Sequence, residues 1–257
     1  MVTVQVAGRH LYLILDAKLA SQIYRKTDNF LFDPFSVMVL RTIGGTREDL
    51  KVVQIGAQLV KKDPGVKEDG RHFFHDLHIL GKHLLLGDAL DELTNRFIET
   101  LCNDIDKRFP INRDDQHEWE TIDLSELVKS LWTHASIEAL IGTNVYSIWP
   151  DIDRWLWEFD ATFPQIIARY PKLLVPKPYK VREEGIKMLQ RWEEEAWKAE
   201  AEGKIETDPD HLWDPYWGHA YSRQTRKYNA KNGMSARGRA GNTISIIWGV
   251  SNEARPP

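Results

Sequence analysis

Four histidines, His72, His75, His78 and His83, gather within twelve residues beside Asp76. On a helix the first three would fan over one broad face, an arrangement that a zinc or iron site could use. The His-Glu-x-x-His form, which sets two ligands one turn apart and adds a general base, is missing, so a wet loop is the better reading and no metal ligand is assigned. Gly233-Met-Ser-Ala-Arg237 begins like a nucleophile elbow, but Arg237 stands where the second glycine should be. Gly44-Gly45 and Gly238-Arg-Ala-Gly241 lack the lysine and the strand-to-helix context of a phosphate cradle. Glu193-Glu-Glu195, with Glu200 and Glu202, could pose as paired catalytic carboxylates; on a long charged helix such a run reads as the solvated face. Arg223, Arg226, Lys227, Lys231, Arg237 and Arg239, interleaved with Tyr221 and Tyr228, could meet an anionic partner. No binding module surrounds them, so no nucleic-acid partner is expected. Cys102 falls among apolar helix positions without a basic neighbour and reads as a buried, inert thiol.

The elements that must position these groups follow from periodicity. Val2, Val4 and Val6 alternate with Thr3 and Gln5, and after a turn at Ala7-Gly8-Arg9 comes the apolar run Leu11–Leu15, which predicts a hairpin. Asp16 then caps a helix through Arg25 with Leu19, Ile23 and Tyr24 inward. Phe30–Phe35 is too aromatic for a free linker and is broken by Pro34, so an ordered turn is expected there, and the stretch Lys61–Arg71 reads as an exposed loop. Leu90, Leu93, Phe97, Leu101 and Ile105 mark the buried stripe of a helix ended by Phe109-Pro110. Asp123-Leu-Ser-Glu126 has the capping-box form, followed by Leu124, Leu127, Val128, Leu131, Ala135 and Ala139 and a stop at Gly142. A helix from Pro150–Asp153 to Pro171, a long charged one from Pro176 and Pro178 to Gly203, a loop at Asp208–Asp214, a short helix and an apolar segment from Ala240 to Val250 complete the chain. The fold class is mainly α with a small N-terminal β-sheet.

Composition narrows the class. The 257 residues carry 42% hydrophobic and 28% charged side chains and a formal charge of -4, ordinary values for a folded, water-facing protein without a strong field toward nucleic acid. A single cysteine excludes an internal disulfide and cysteine-cluster metal sites, and Asn-x-Ser/Thr acceptors are absent, which makes the cytosolic side the default. No stretch is apolar enough to span a membrane, and Met1-Val-Thr-Val does not start like a signal peptide. Ten tryptophans, from Trp119 to Trp248, are expected to be packing anchors.

Ala240-Gly-Asn-Thr-Ile-Ser-Ile-Ile-Trp248, running to Glu253-Ala-Arg-Pro256, resembles the long central helix of a cytochrome P450, a haem-thiolate monooxygenase. The hairpin and helix of residues 2 to 26, then Phe32-Asp-Pro-Phe35, then Leu84-Leu-Leu-Gly-Asp-Ala-Leu90, resemble successive early landmarks of that family. The subgroup resembled most includes sterol hydroxylases and prostacyclin-synthase-like members, with fungal relatives. The resemblance implies that Ala240 and Gly241 form the oxygen groove over the haem, and that Thr243, with Asn242 where an acid usually stands, holds the catalytic proton relay. A hydroxyl both donates and accepts, which suits a relay. Trp248 sits one residue earlier than the family's usual aromatic. The pocket is expected to draw on Gly65–Leu90 and Phe159–Tyr170.

The family's Glu-x-x-Arg pair and its Phe-x-x-Gly-x-x-x-Cys loop, source of the axial thiolate, have no counterpart in place. Glu68-Asp-Gly-Arg71 matches the first spacing by chance, and Cys102 lies in Leu-Cys-Asn-Asp without the glycines of the second. The expectation is therefore one partial P450 domain over residues 1–257, with a small β-containing portion at 1–60 and a helical portion at 61–257. It would be the N-terminal half of an incomplete P450 fold, without the membrane anchor common in eukaryotic members. The resemblance implies haem, a lipophilic small-molecule substrate and a redox partner; without the thiolate, the chain alone is expected to be inactive. The competing expectation is a non-enzymatic helical protein that binds a hydrophobic ligand or a protein partner.

Overall fold

Two strands, β1 (Val2–Val6) and β2 (Arg9–Leu13), pair antiparallel with Val4 opposite Leu11. The chain is described by a computed structural model over residues 2–6, 9–25, 32–57, 72–110, 120–206 and 211–252. The expected loop at Lys61–Arg71 and the hairpin turn at 7–8 lie outside these residues. Helix α1 (Ala17–Tyr24) starts where Asp16 Oδ1 accepts from the Leu19 N–H at 2.7 Å. Tyr24, expected inside, is exposed, because α1 buries no residue fully and its half-covered side is made by Leu19, Ala20 and Ile23.

The segment around Pro34 is not a turn. Asp33 and Pro34 open helix α2 (Asp33–Ile43), where proline fits because the first-turn N–H has no intrahelical partner anyway. Gly44 then leads to α3 (Arg47–Val53), closed at its start by a capping box between Thr46 and Asp49. These two helices lie inside the small β-containing portion expected at 1–60, where the sequence reading placed no helix after residue 25. Next come α4 (Phe73–Leu84), α5 (Asp88–Arg108), α6 (Leu124–Ile141), α7 (Asn144–Ile148), α8 (Ile152–Ile167) and α9 (Pro176–Ala201). A second hairpin, β3 (Trp213–Asp214) and β4 (Gly218–His219), begins at the end of the loop expected at Asp208–Asp214, of which residues 208–210 lie outside the described residues, and α10 (Ala220–Lys231) and α11 (Ala236–Asn252) follow.

The core is built where α11 lies against α2, α6 and α9, with α8 packed on α9. Ala240, Ile244 and Ile247 of α11 are fully buried beside Ile137 and Ile141 of α6 and Leu189 and Trp192 of α9. Trp155 and Trp192 act as anchors with a polar handle: Trp155 Nε1 donates to the Val181 carbonyl at 2.8 Å and Trp192 Nε1 to the Ile141 carbonyl at 3.1 Å. The β3–β4 hairpin crosses the end of α6 at two glycines, Gly142 (φ +84°) and Gly218 (φ +70°). A Cβ on Gly218 would lie 2.5 Å from the Gly142 nitrogen, so only glycine permits the crossing.

The stripes on α5 and α6 are only half covered. Leu90, Ile105, Leu124 and Val128 are exposed, while Ala135 and Ala139 are buried as expected. Cys102, expected inside, is exposed, because α5 offers only one flank to α6 and Cys102 lies off it.

Candidate functional site

Helix α11 is fixed at its start by a buried carboxylate from another part of the chain. Asp49 accepts from the Ser235 N–H at 2.7 Å and from Ser235 Oγ at 2.8 Å, as well as from the Thr46 N–H and hydroxyl. Burial alone would push its carboxyl up; these hydrogen bonds outweigh it and hold Asp49 below its ordinary value. Ser235 Oγ in turn accepts from the Gly238 N–H at 3.0 Å. The serine of the elbow-like sequence is thus a helix cap. Two residues on, Arg237 donates to both Glu183 oxygens at 2.7 Å and to the Gly44 carbonyl at 2.8 Å, tying α11 to α9 and the end of α2.

The faces of α11 divide its residues. Ala240 is fully buried in the core, and Gly241 faces Leu40 and Ile43 of α2, so neither lies on an open face. Thr243 points to α10, where its Oγ1 accepts from Arg226 Nη2 and donates to the Arg239 carbonyl at 3.2 Å. Asn242 Oδ1 accepts from Asn229 Nδ2 at 3.2 Å. Behind Thr243 lies a buried charge cluster. Glu193 Oε1 accepts from Arg239 Nε, and Glu193 Oε2 lies 2.9 Å from Arg226 Nη1, an ion pair whose angles are too poor for a hydrogen bond. Arg226 also stacks over Trp192 at 4.6 Å. Burial pushes its guanidinium down to about 10, against the attraction of Glu193, so it stays cationic at neutral pH. Glu193 therefore corrects the expectation of a solvated acidic face: it is 2% exposed and holds two arginines.

The basic stretch is spent inside the fold as well. Arg223 pairs with Asp214 at 3.3 Å, Lys227 with Glu200 at 2.6 Å and Arg237 with Glu183. His72 accepts from the His75 N–H at the start of α4, and among the described residues no group of three His, Cys, Asp or Glu side chains is arranged to hold a metal.

On its outer side α11 lines a hollow of about 340 Å³ with α2 and α4. Asn242, Ser245 and Trp248 form one wall; Phe35, Phe73 and Leu77 stand among the others, and no charged residue lines it. Phe73, Phe74 and Leu77 come from the stretch expected to line the pocket. From the second such stretch, Phe159 and Phe163 belong to the core and meet Trp248 ring to ring, at 6.4 and 4.4 Å. Trp248 Nε1 donates to Asp160 at 2.9 Å, which sets the ring as the end wall. A second apolar hollow of about 220 Å³ lies between α5, α6 and Val250, lined by Leu93, Phe97 and Trp132. A groove of about 760 Å³ between α6 and α8 is open and carries Lys129, Arg154 and Glu126, as a solvated surface does.

A haem of the thiolate kind needs a cysteine facing an apolar slot. Cys102, the sole cysteine, is exposed on α5 and lines neither apolar hollow, so the residues present do not fit the axial-ligand side of such a group. Ser245 and the α2 wall are site residues that sequence reasoning missed. Ser245 follows Asn242 by one turn and was within reach of helical periodicity; the α2 wall was hidden by the misreading of Pro34.

No family model and no solved structure matches this sequence. Two curated proteins do, both fungal. The chain is 23% identical over 258 aligned positions to cytochrome P450 monooxygenase calL of Penicillium decumbens, covering 98% of this chain and 47% of that protein. It is 25% identical over 184 positions to cytochrome P450 monooxygenase fsoE of Humicola fuscoatra, covering 71% of this chain and 31% of that protein. The chain thus spans about half and about a third of the length of these relatives. Over nearly its whole length, on a mainly helical fold, the chain is thus similar to cytochrome P450 monooxygenases.

Proposed function

We propose that the chain is part of a haem-dependent monooxygenase acting on a neutral, lipophilic small molecule with electrons from a redox partner, and that the hollow beside α11 receives that substrate. The observation carrying the proposal is the hollow's chemistry. Its walls are mainly aromatic and aliphatic and it holds no charged group, so it favours an uncharged body. Asn242 gives its carbonyl oxygen to Asn229, which leaves its Nδ2 to donate to a substrate oxygen, and Ser245 Oγ can accept from a hydroxyl. In this proposal the four residues of the resemblance keep different duties. Ala240 and Gly241 set how closely α11 approaches its neighbours, and Asn242 orients the substrate. Thr243 serves as a relay only when Arg226 releases its hydroxyl. The subgroup with an Asn-Thr pair is the one this arrangement favours.

Oxygen activation belongs to the haem, and its axial thiolate is not among these 257 residues. The chain alone, as one partial P450 domain, is accordingly expected to give no thiolate-type absorption band on titration with haem and no oxygenated product. A tight thiolate-type complex would refute that expectation.

The hollow is tested with the neutral dye Nile red. We expect enhanced emission with the wild type, about fivefold weaker binding for Asn242→Ala as one hydrogen bond is lost, and no binding for Leu77→Trp, which fills the space. Undiminished binding by Leu77→Trp would sink the assignment. A second reading, a helical protein that binds a lipophile without oxygen chemistry, is favoured by the sole cysteine lying on α5 away from the hollow. It predicts a monodisperse chain that unfolds in one cooperative step.

A further inference from the structure

Asn232-Gly233 is the one Asn-Gly pair in the sequence, and it stands in the joint between α10 and α11. Such a pair carries a reaction that needs no enzyme. The backbone nitrogen of the glycine attacks the asparagine Cγ, a five-membered imide ring closes, and Nδ2 leaves as ammonia. Water then opens the ring at either carbonyl, giving aspartate or isoaspartate, in which the main chain runs through Cβ. Glycine favours ring closure because no side chain crowds its nitrogen, which is one reason asparagine counts among the thermolabile residues.

The fold blocks this reaction at each of its requirements. Asn232 is the C-cap of α10 with ψ 7°, which turns the Gly233 nitrogen toward the Asn232 nitrogen and away from the Asn232 side chain, so ring closure needs a large rotation about that bond. The Gly233 N–H, which must give up its proton before the attack, donates to the Ala230 carbonyl at 3.0 Å, and the Met234 N–H donates to the Asn229 carbonyl at 3.0 Å. With Gly233 at φ +83° these two bonds make a Schellman ending. The leaving amide is held as well, Asn232 Nδ2 donating to the Tyr228 carbonyl at 2.9 Å. Met234, buried in one cluster with Tyr228 packed against it, fastens the joint from the inside. Gly233 itself is exposed and Asn232 half-buried, so water reaches the pair as soon as the joint opens.

We propose that Asn232 is a self-modification site that the closed α10–α11 joint protects and that opening of the joint sets off. The products oppose reclosure. Aspartate puts an oxygen where Nδ2 gave its hydrogen bond to the Tyr228 carbonyl, and it adds negative charge beside a helix end whose carbonyls already carry the negative pole. Isoaspartate lengthens the main chain by one carbon between Asn229 and Met234, so the two bonds of the Schellman ending can no longer form together. One residue past Met234 stands Ser235, which Asp49 holds at the start of α11. The modification therefore records an opening at the start of the central helix and makes it permanent. It does not depend on the proposed chemistry of the hollow.

The tryptic peptide Asn232–Arg237 reads the reaction as a gain of one mass unit, with the aspartate and isoaspartate forms separated by chromatography. Wild-type chain is incubated in warm, mildly alkaline buffer with and without guanidinium chloride. The gain is expected to be roughly tenfold or more faster in the denaturant, since the folded joint reacts only through its open fraction. Asn232→Gln, whose longer side chain would have to close a six-membered ring, should show no gain at this peptide in either solution. Asn232→Asp, which builds one product directly, should lower the urea unfolding midpoint and let limited trypsin cut after Lys231 faster than in the wild type. Equal rates with and without denaturant, or no gain in the denaturant, overturn the proposal. An Asn232→Asp chain as stable as the wild type overturns its second half, that the product opposes reclosure.

Discussion

Glu193 has its two partners 33 and 46 residues away in sequence, at Arg226 and Arg239, and its side chain is almost wholly buried. Removing the carboxylate strands two guanidinium groups in the core. Glu193→Ala is therefore expected to cost about 3–5 kcal/mol, read as a lowered midpoint in urea unfolding, whereas Glu194→Ala on the solvated side should change little. Equal effects would refute the assignment. Helical spacing from Leu189 and to Ala196 puts Glu193 on the buried stripe of α9 and leaves Glu194 and Glu195 off it, but the cations that hold Glu193 come from helices not yet reached in the chain. Cys102 was misread for the opposite reason: its local pattern is apolar, but no element covers that flank of α5. Asn242 and Thr243 were legible as neighbours on one helix; that they face different surroundings follows from the 100° turn between them, which needs the packed partners to acquire meaning.

Elements were legible wherever a stripe and a cap agreed. The start of α6 at Asp123, its stop at Gly142 and the stop of α9 before Gly203 stand where the sequence puts them. Helix α2 was lost because Pro34 was weighed as a breaker, although a first-turn proline is compatible with a helix. The capping Asp49 of α3 also holds the start of α11, so one side chain closes two helices. Asp49→Ala removes four hydrogen bonds to one carboxylate and should cost roughly 2–4 kcal/mol. Hydrogen exchange should show fraying at residues 235–239 as well as at 46–49, and fraying at only one of the two sites would show that the ends are not coupled.

For the whole molecule, acid acts in two stages. His219 is fully buried, its Nδ1 accepting from the Tyr221 N–H and its Nε2–H donating to the Ala89 carbonyl at 2.8 Å. Burial holds it below its ordinary value of 6.5. The unfolded chain therefore takes up this proton first, and the stabilisation from neutral His219 is complete above that value and fades as pH falls through it. Glu183 behaves likewise further down. The Arg237 hydrogen bonds, above all, hold it down to about 2 from 4.5, so its contribution is present above 4.5 and is lost toward 2. The thermal midpoint should fall in a first step below 6.5, flattened in His219→Gln, and again below 4.5, flattened in Glu183→Gln. A midpoint unchanged from pH 7 to 4 would contradict the first step.

The placing of α11 also has a consequence for synthesis. The helix that fills the centre between α2, α6 and α9 is translated after all of them, and its cap, Asp49, has been waiting for 186 residues. A ribosome-bound chain that has reached α10 thus holds nearly every wall of the core and lacks its filling. Ile43, Ile137 and Trp192 are then without the contacts that bury them. Such a chain is a natural client for a chaperone, and a pause in translation shortly before residue 236 would lengthen its exposure to aggregation.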